Sequence, residues 1–280
     1  MTSIQLLKPG LGKIAAYCVL LILASLFALP FLWTLSTALK SQHELYSWPP
    51  VWIPQQLNWQ HFVEAWQAQE FTRYLKNSLL VASLSTVGQV FSSSLVAFGF
   101  ARFEFKGRDF LFMLVLASMM IPWDVTMIPQ YMQFNYLGWI NSLKALIIPN
   151  FFAAPFYIFL LRQYLLGIPK ELDDAARMDG ANPWQLYSRI HLPLMLPALI
   201  LVATFQFLAS WNDYLGPLIF LNDQSNYTLP LGLAQFKGLH ESQLTAIAAI
   251  TLVLCLPPLL LFFLAQRYIM EGTQDGAVKG

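Results

Sequence analysis

The chain has 280 residues, 57% of them hydrophobic and only 11% charged, with a formal net charge of +1. Soluble domains carry about 25% charged residues, so this composition is that of an integral membrane protein. The basic residues are scattered rather than interleaved with aromatics, which excludes a nucleic-acid surface, and Cys18 and Cys255 each fall inside an apolar run, as core or lipid-facing residues rather than a disulfide or metal pair.

The N-terminal flank is short and basic, with Lys8 and Lys13. Its PGLGKI segment has the wrong glycine spacing for a phosphate loop, and Ile14 stands where a magnesium-binding hydroxyl is needed. No nucleotide-binding signature is found in the chain. A first apolar run covers residues 14–35, close to the roughly 20 residues that cross a bilayer core. It exceeds the apolar part of a signal peptide and is predicted to be an uncleaved span.

Residues 40–76 are polar yet rich in aromatics, among them Trp48, Trp52, Trp59, Phe62 and Trp66. Pro49, Pro50 and Pro54 forbid a continuous helix at the start. Asn58 is predicted to cap a short helix with Trp59, Phe62 and Trp66 on one side, an amphipathic element at the membrane interface. Further spans are predicted at 78–100, 110–129, 143–165, 192–220 and 244–264. The second holds Gly88 and the run Ser92, Ser93, Ser94, small residues that let helices approach closely in lipid. Asp124 lies between Pro122 and Pro129, and Asn150 follows Pro149. Such prolines free backbone carbonyls, compatible with a translocation path and equally with ordinary kinks.

Residues 168–194 are the most densely charged part of the chain. Pro169 suits a first helical turn, and Glu171, Asp173 and Asp174 place negative charge at the positive end of the helix dipole. Leu172, Ala175 and Ala176 are predicted to share one face. Arg177 suits the last turn and Gly180 the left-handed residue past a helix end. Asn182 can cap a second helix that starts with Pro183 and presents Trp184, Tyr187, Ile190 and His191, until Pro193 opens the next span. The physics gives two short helices joined by a glycine turn, against a membrane surface.

The same residues carry a family pattern: Asp174-Ala175-Ala176, three residues, Gly180, nine residues, Ile190, one residue, Leu192-Pro193. It resembles the EAA loop of bacterial ABC importer permeases, with Asp174 where the family usually has Glu. The tail from Gly276 to Gly280 looks like the carbohydrate, maltose-type branch. The resemblance implies an all-α, six-helix, type I transmembrane domain over the whole chain, 1–280. It assigns ATPase coupling to Asp174, Ala175, Ala176, Arg177, Asp179, Gly180, Ala181, Ile190, Leu192 and Pro193. It also implies a second homologous permease, an ATPase dimer carrying ATP and magnesium, and an extracytoplasmic sugar-binding protein, with no cofactor or metal on this chain. The outer loop 221–241 would reach towards the binding protein, and the tail towards the ATPase.

Six spans put both termini on one side. With that side inward, eleven basic residues flank the inner ends of the spans against five at the outer ends. The positive-inside rule therefore makes the termini and the EAA-like loop cytoplasmic, independently of the motif, and the resemblance implies that the membrane is a bacterial inner membrane.

Within the fifth span Trp211, Asn212, Asp213 and Tyr214 form a polar, aromatic cluster. An intramembrane carboxylate faces a cavity or a partner. Asn212 and Asp213 can accept bonds from hydroxyls, and Trp211 and Tyr214 can stack on a sugar ring. With Asp124 and Asn150 they are candidates for a substrate path; a cluster that merely ties helices together is the other reading. The expected function is sugar import driven by a separate ATPase. The alternative is an ion-coupled carrier with Asp124 and Asp213 as coupling carboxylates, which the lack of symmetry between the two halves disfavours. No metalloprotease or nucleophile-elbow motif supports an enzyme.

Overall fold

The computed structural model describes the backbone of residues 11–239 and 243–277, with side chains over 12–238 and 243–267. Lys8 and the residues from Val278 to Gly280 lie outside the described residues. Every regular element among the described residues is helical. The chain divides into two compact units, one of residues 1–69 and 236–253, the other of 70–235 and 254–280.

In the first unit α1 (Leu11–Leu39) is apolar all round and exposed along residues 12–33. The short α2 (Gln42–Leu45) begins in a reciprocal cap: Glu44 N–H donates to Ser41 Oγ, and Ser41 N–H to Glu44 Oε2 at 2.8 Å. Gln55 N–H also donates to that carboxylate at 2.8 Å, holding Glu44 below the ordinary glutamate range. The short helix predicted after Asn58 exists as α3 (Gln60–Gln67), but its cap differs from the prediction. Trp59 occupies the cap position with no side-chain bond, and Asn58 instead bonds Leu39 O through its own N–H at 3.2 Å. Ala38, Ala248, Ala249 and Leu252, with Leu35 and Phe62, form this unit's core.

The second unit is built on α4 (Phe71–Arg102), longer at both ends than predicted. Then come α5 (Arg108–Ser118), α6 (Trp123–Tyr136), α7 (Lys144–Ile147), a 3-10 turn (Ile148–Phe151) and α8 (Pro155–Leu166). The loop contains α9 (Glu171–Met178), α10 (Pro183–Gln185), a π-helical turn (Leu186–His191) and α11 (Leu192–Leu194). It leads into α12 (Leu196–Trp211) and α13 (Leu215–Phe220); α14 (Leu229–Leu239) and α15 (Leu244–Ala277) are each divided between the units, residues 236–253 belonging to the first. The principal packing is α4 against α8 and α12. Lipid is as apolar as leucine, so close packing rather than water exclusion must hold these helices. Ser93, Ser94, Ala97 and Ala101 supply it, buried on α4 among Leu161, Leu165 and Val202. At Gly88 the approach is close, since a Cβ there would lie 2.5 Å from the Phe151 ring.

Among the described residues four helical stretches are long and apolar enough to cross a membrane, or six if each of two bent pairs is one span. The third predicted span is such a pair: α5 and α6 meet at 93° around Pro122. The fifth is also interrupted, because the π-turn and α11 meet α12 at 77° and α12 stops at Trp211. Pro193 therefore sits before the bend, and Pro197, in the first turn of α12, opens the straight part of the span.

Candidate functional site

The loop between α8 and α12 folds as its capping residues dictate. Pro169 lies outside the first turn, which starts at Glu171 behind Lys170. Gly180 has φ +85°, and its N–H donates to Arg177 O at 3.0 Å, closing α9 with a left-handed residue. Asn182 Oδ1 accepts from Gln185 N–H at 2.9 Å, and Gln185 Oε1 accepts from Asn182 N–H at 2.9 Å.

The buried face of α9 is not the predicted one. Leu172 and Ala175 point outward, while Asp173 and Ala176 point in, at i, i+3. Met178 is 88% exposed, and the Asp174 side chain 77%, 4.0 Å from Arg177. The loop thus presents Asp174, Ala175, Arg177, Asp179 and Gly180 to the outside, while Ala176, Ala181, Ile190 and Leu192 pack against the core formed by α4, α8 and α12.

Behind α9 three polar side chains meet. Arg102 Nη2, at the end of α4, donates to Leu165 O at 2.7 Å and Ile168 O at 2.9 Å. Leu165 is in the last turn of α8 and Ile168 two residues past its end, where the helix dipole favours a cation. Arg102 Nε faces Asp173 Oδ2 at 3.6 Å, and His191 Nε2–H donates to Asp173 Oδ1 at 2.7 Å. All three side chains are at most 6% exposed, and His191 Nδ1 is buried with no partner. Removing one member of a buried ion pair strands its partner, at roughly 3–5 kcal/mol. The sequence reads Asp173 as a dipole charge and His191 as part of a bulky face.

A second polar cluster lies nearer the middle of α4. Asn150 Nδ2 donates to Leu146 O at 2.8 Å and Ser85 Oγ at 3.2 Å, and its Oδ1 accepts from Gln206 Nε2 at 3.0 Å. Gln206 also donates to Ser210 Oγ at 2.9 Å. In the orientation that satisfies both ends of its amide, Gln89 accepts from Ala154 N–H at 2.6 Å and donates to Asn150 O at 3.3 Å. Asp213 Oδ1 accepts from Gly216 N–H at 3.1 Å. Two adjoining cavities, about 360 and 280 Å³, share Leu146, Asn150 and Asp213; the larger adds Trp123 and Gln130, the smaller Gln206 and Ser210. The Asn150 and Gln206 amino groups are already bonded within the protein, so the lining offers the Asp213 carboxylate as acceptor, the Gln130 amino group as donor and the Trp123 side chain as aromatic surface, groups that can meet hydroxyls.

Of the predicted path residues, Asn150 and Asp213 come together here. Trp211 does not: it is 0% exposed, stacked on Phe207, with its indole N–H donated to Leu254 O at 3.1 Å. Asn212 is exposed and bonds Leu208 O, and Tyr214 is 38% exposed; both lie outside the cavity linings. Asp124 is exposed in the first turn of α6, next to Trp123, which does line the cavity. Gln206 and Gln130 were missed, being ordinary glutamines until the bend and the helix break place them.

A family described as "Binding-protein-dependent transport system inner membrane component" matches residues 89–272. The probable ABC transporter permease protein YurM of Bacillus subtilis is 34% identical over 98% of this chain and 91% of its own. The arabinooligosaccharides transport system permease protein AraQ of Halalkalibacterium halodurans is 37% identical over 76% of each chain. The fold matches, at TM-score 0.80 and 21% identity, a chain of a bacterial ABC transporter that imports the polysaccharide alginate, covering 96% of this chain and 100% of that one.

Proposed function

The chain belongs to the family of binding-protein-dependent transport system inner membrane components, and from that premise we propose that it is one permease of an ATP-driven sugar importer. Membrane-crossing helices and kinship to sugar permeases support the membrane and transport parts of this reading. The residue assignments rest on geometry.

The observation that carries the proposal is the two-sided loop. Its inner side is anchored in the helical core, while Asp174, Ala175, Arg177, Gly180 and the exposed Leu172 and Met178 form an outward face. A separate ATPase subunit docks on that face from the cytoplasm, with ATP and magnesium held by the ATPase dimer. Closure of the dimer pushes α9, and the motion passes to α8 and α12. Coupling of this kind requires different contacts in two states. A second, homologous permease completes the path, and an extracytoplasmic binding protein delivers the sugar. Asn150, Asp213, Gln130 and Gln206 line this chain's share of the path, and no bond in the sugar is made or broken. Both termini face the cytoplasm.

The test is uptake in vesicles holding the full complex with loaded binding protein. Vanadate, which arrests ATPase turnover, is expected to stop uptake, and dissipating ion gradients is expected to leave it unchanged. Uptake that ignores vanadate and collapses with the ion gradient would establish the ion-coupled carrier instead.

A further inference from the structure

Two neighbouring carboxylates on α9 have opposite fates. Asp174 is exposed, free for a partner subunit, whereas Asp173 is 4% exposed and turned into the protein. Asp173 touches two elements at once through separate oxygens: Oδ2 faces Arg102 at the end of α4, and Oδ1 takes the His191 N–H from the π-turn. Arg102 extends the chain of contacts to Leu165 O in the last turn of α8 and to Ile168 O just past it. The π-turn is fixed a second time, by Tyr187 OH and Ser94 Oγ at 2.7 Å, and the Phe98 ring packs between, 5.4 Å from Tyr187 and 5.3 Å from His191. The other ion pair reaching the loop from outside it, Lys170 with Glu104 at 3.7 Å, is exposed on both sides, and such pairs hold little.

We propose that Asp173 is the positioning residue of energy coupling, the joint through which Arg102 and His191 lock the loop to α4, α8 and the approach to α12. The inference rests on the loop being the ATPase contact. A surface helix moves its neighbours only if it cannot slide or roll against them. The apolar contacts of Ala176 permit rolling, because one methyl fits many orientations. A carboxylate divided between a guanidinium and an imidazole permits one orientation. Desolvation strengthens that preference, since neither charge has water to turn to. Asp173 touches neither sugar nor ATPase in this assignment and acts only through the loop it orients.

The experiment uses the complete complex in vesicles, with vanadate-sensitive uptake in the unsubstituted protein as its entry condition; failure there defeats the transporter reading and not this one. Asp173→Asn keeps the shape and removes the charge. Uptake is expected to fall about tenfold, with the permease accumulating and the ATPase co-purifying as before. Added binding protein is expected to stimulate ATP hydrolysis far less. Arg102→Met combined with Asp173→Asn is expected to lose no more than the single substitution, because both remove one joint. His191→Gln, which keeps an N–H for Asp173, is expected to retain more uptake than His191→Leu. Asp173→Asn uptake within about twofold of the unsubstituted protein, or losses that multiply in the double variant, overturn the proposal. So does failure of every variant to assemble, since the cluster would then serve stability alone.

Discussion

At the C-terminal end of α4 the protein buries a guanidinium, a carboxylate and an imidazole; earlier along the same helix it buries amides and hydroxyls. Ser85 and Arg102 lie 17 residues apart on α4, about 25 Å of helix. The difference follows from what the backbone has to spare. Arg102 sits where α8 ends, and that helix end offers two carbonyls to its Nη2. In mid-span most of the backbone has bonded itself, and the carbonyls left over, Leu146 O and Asn150 O, are taken by neutral amides. Neutral amides cost less there and satisfy one another as donor and acceptor. Asp213 obeys the same logic. It lies where α12 has stopped and α13 has not begun, and the break frees the Gly216 N–H it accepts from. Charge goes where helices end, whether at the membrane surface or at a break.

The comparison is broken most severely at the loop. Gly180→Pro demands φ near −65° where the chain has +85°, and removes an N–H that donates to Arg177 O. Uptake and binding-protein-stimulated ATP hydrolysis are expected to vanish, while the protein still inserts. Full transport by this variant would show that the turn joining α9 to α10 does not carry motion. At the mid-span end the largest effect is expected from Trp211→Ala, which empties a fully buried site and strands the Leu254 carbonyl. The cost is roughly 3–5 kcal/mol of fold stability, read as a lower melting temperature of the detergent-solubilised protein. Tyr214→Ala, at a half-exposed position, is expected to leave melting nearly unchanged. If the two substitutions behaved alike, Trp211 would not be the packing residue described here.

How much could be read from residue order differs between the two regions. The loop's caps are local physics: Gly180, Asn182 with Gln185, and Pro183 each act within four residues, and each is where the sequence places it. The family pattern at Asp174, Gly180, Ile190 and Pro193 names the family that the comparisons show. The inward turn of Asp173 was not legible, because helical phase was assigned from Leu172 and Ala175 on hydrophobicity alone. Burial of an acid is decided by Arg102, 71 positions earlier, and His191, 18 later. In mid-span the prolines at 122 and 149 announced irregular backbone without its geometry. The 93° bend after Ser118 brings Trp123 and Gln130 to the cavity. Trp211 shows the opposite failure: an aromatic beside Asp213 looked like a stacking platform, and its ring is committed to Phe207.

The smallest expected effect tests the mid-span cluster alone. Gly88 faces the Phe151 ring so closely that Gly88→Ala puts a methyl against Phe151 Cδ2. Phe151 ends the 3-10 turn that holds Asn150, so relief of the clash moves the amide joining Ser85 to Gln206. Overpacking of this sort costs about 1–3 kcal/mol, and the 45% exposure of the Phe151 ring gives it room to swing, favouring the low end. Uptake is expected to fall modestly while ATPase co-purification stays unchanged, because the loop anchor sits at the other end of α4. Phe151→Ala added to Gly88→Ala removes the obstacle and is expected to restore uptake. If the pair transported no better than Gly88→Ala alone, the Asn150 amide would not be what the glycine protects, and the two regions would not be separable along α4.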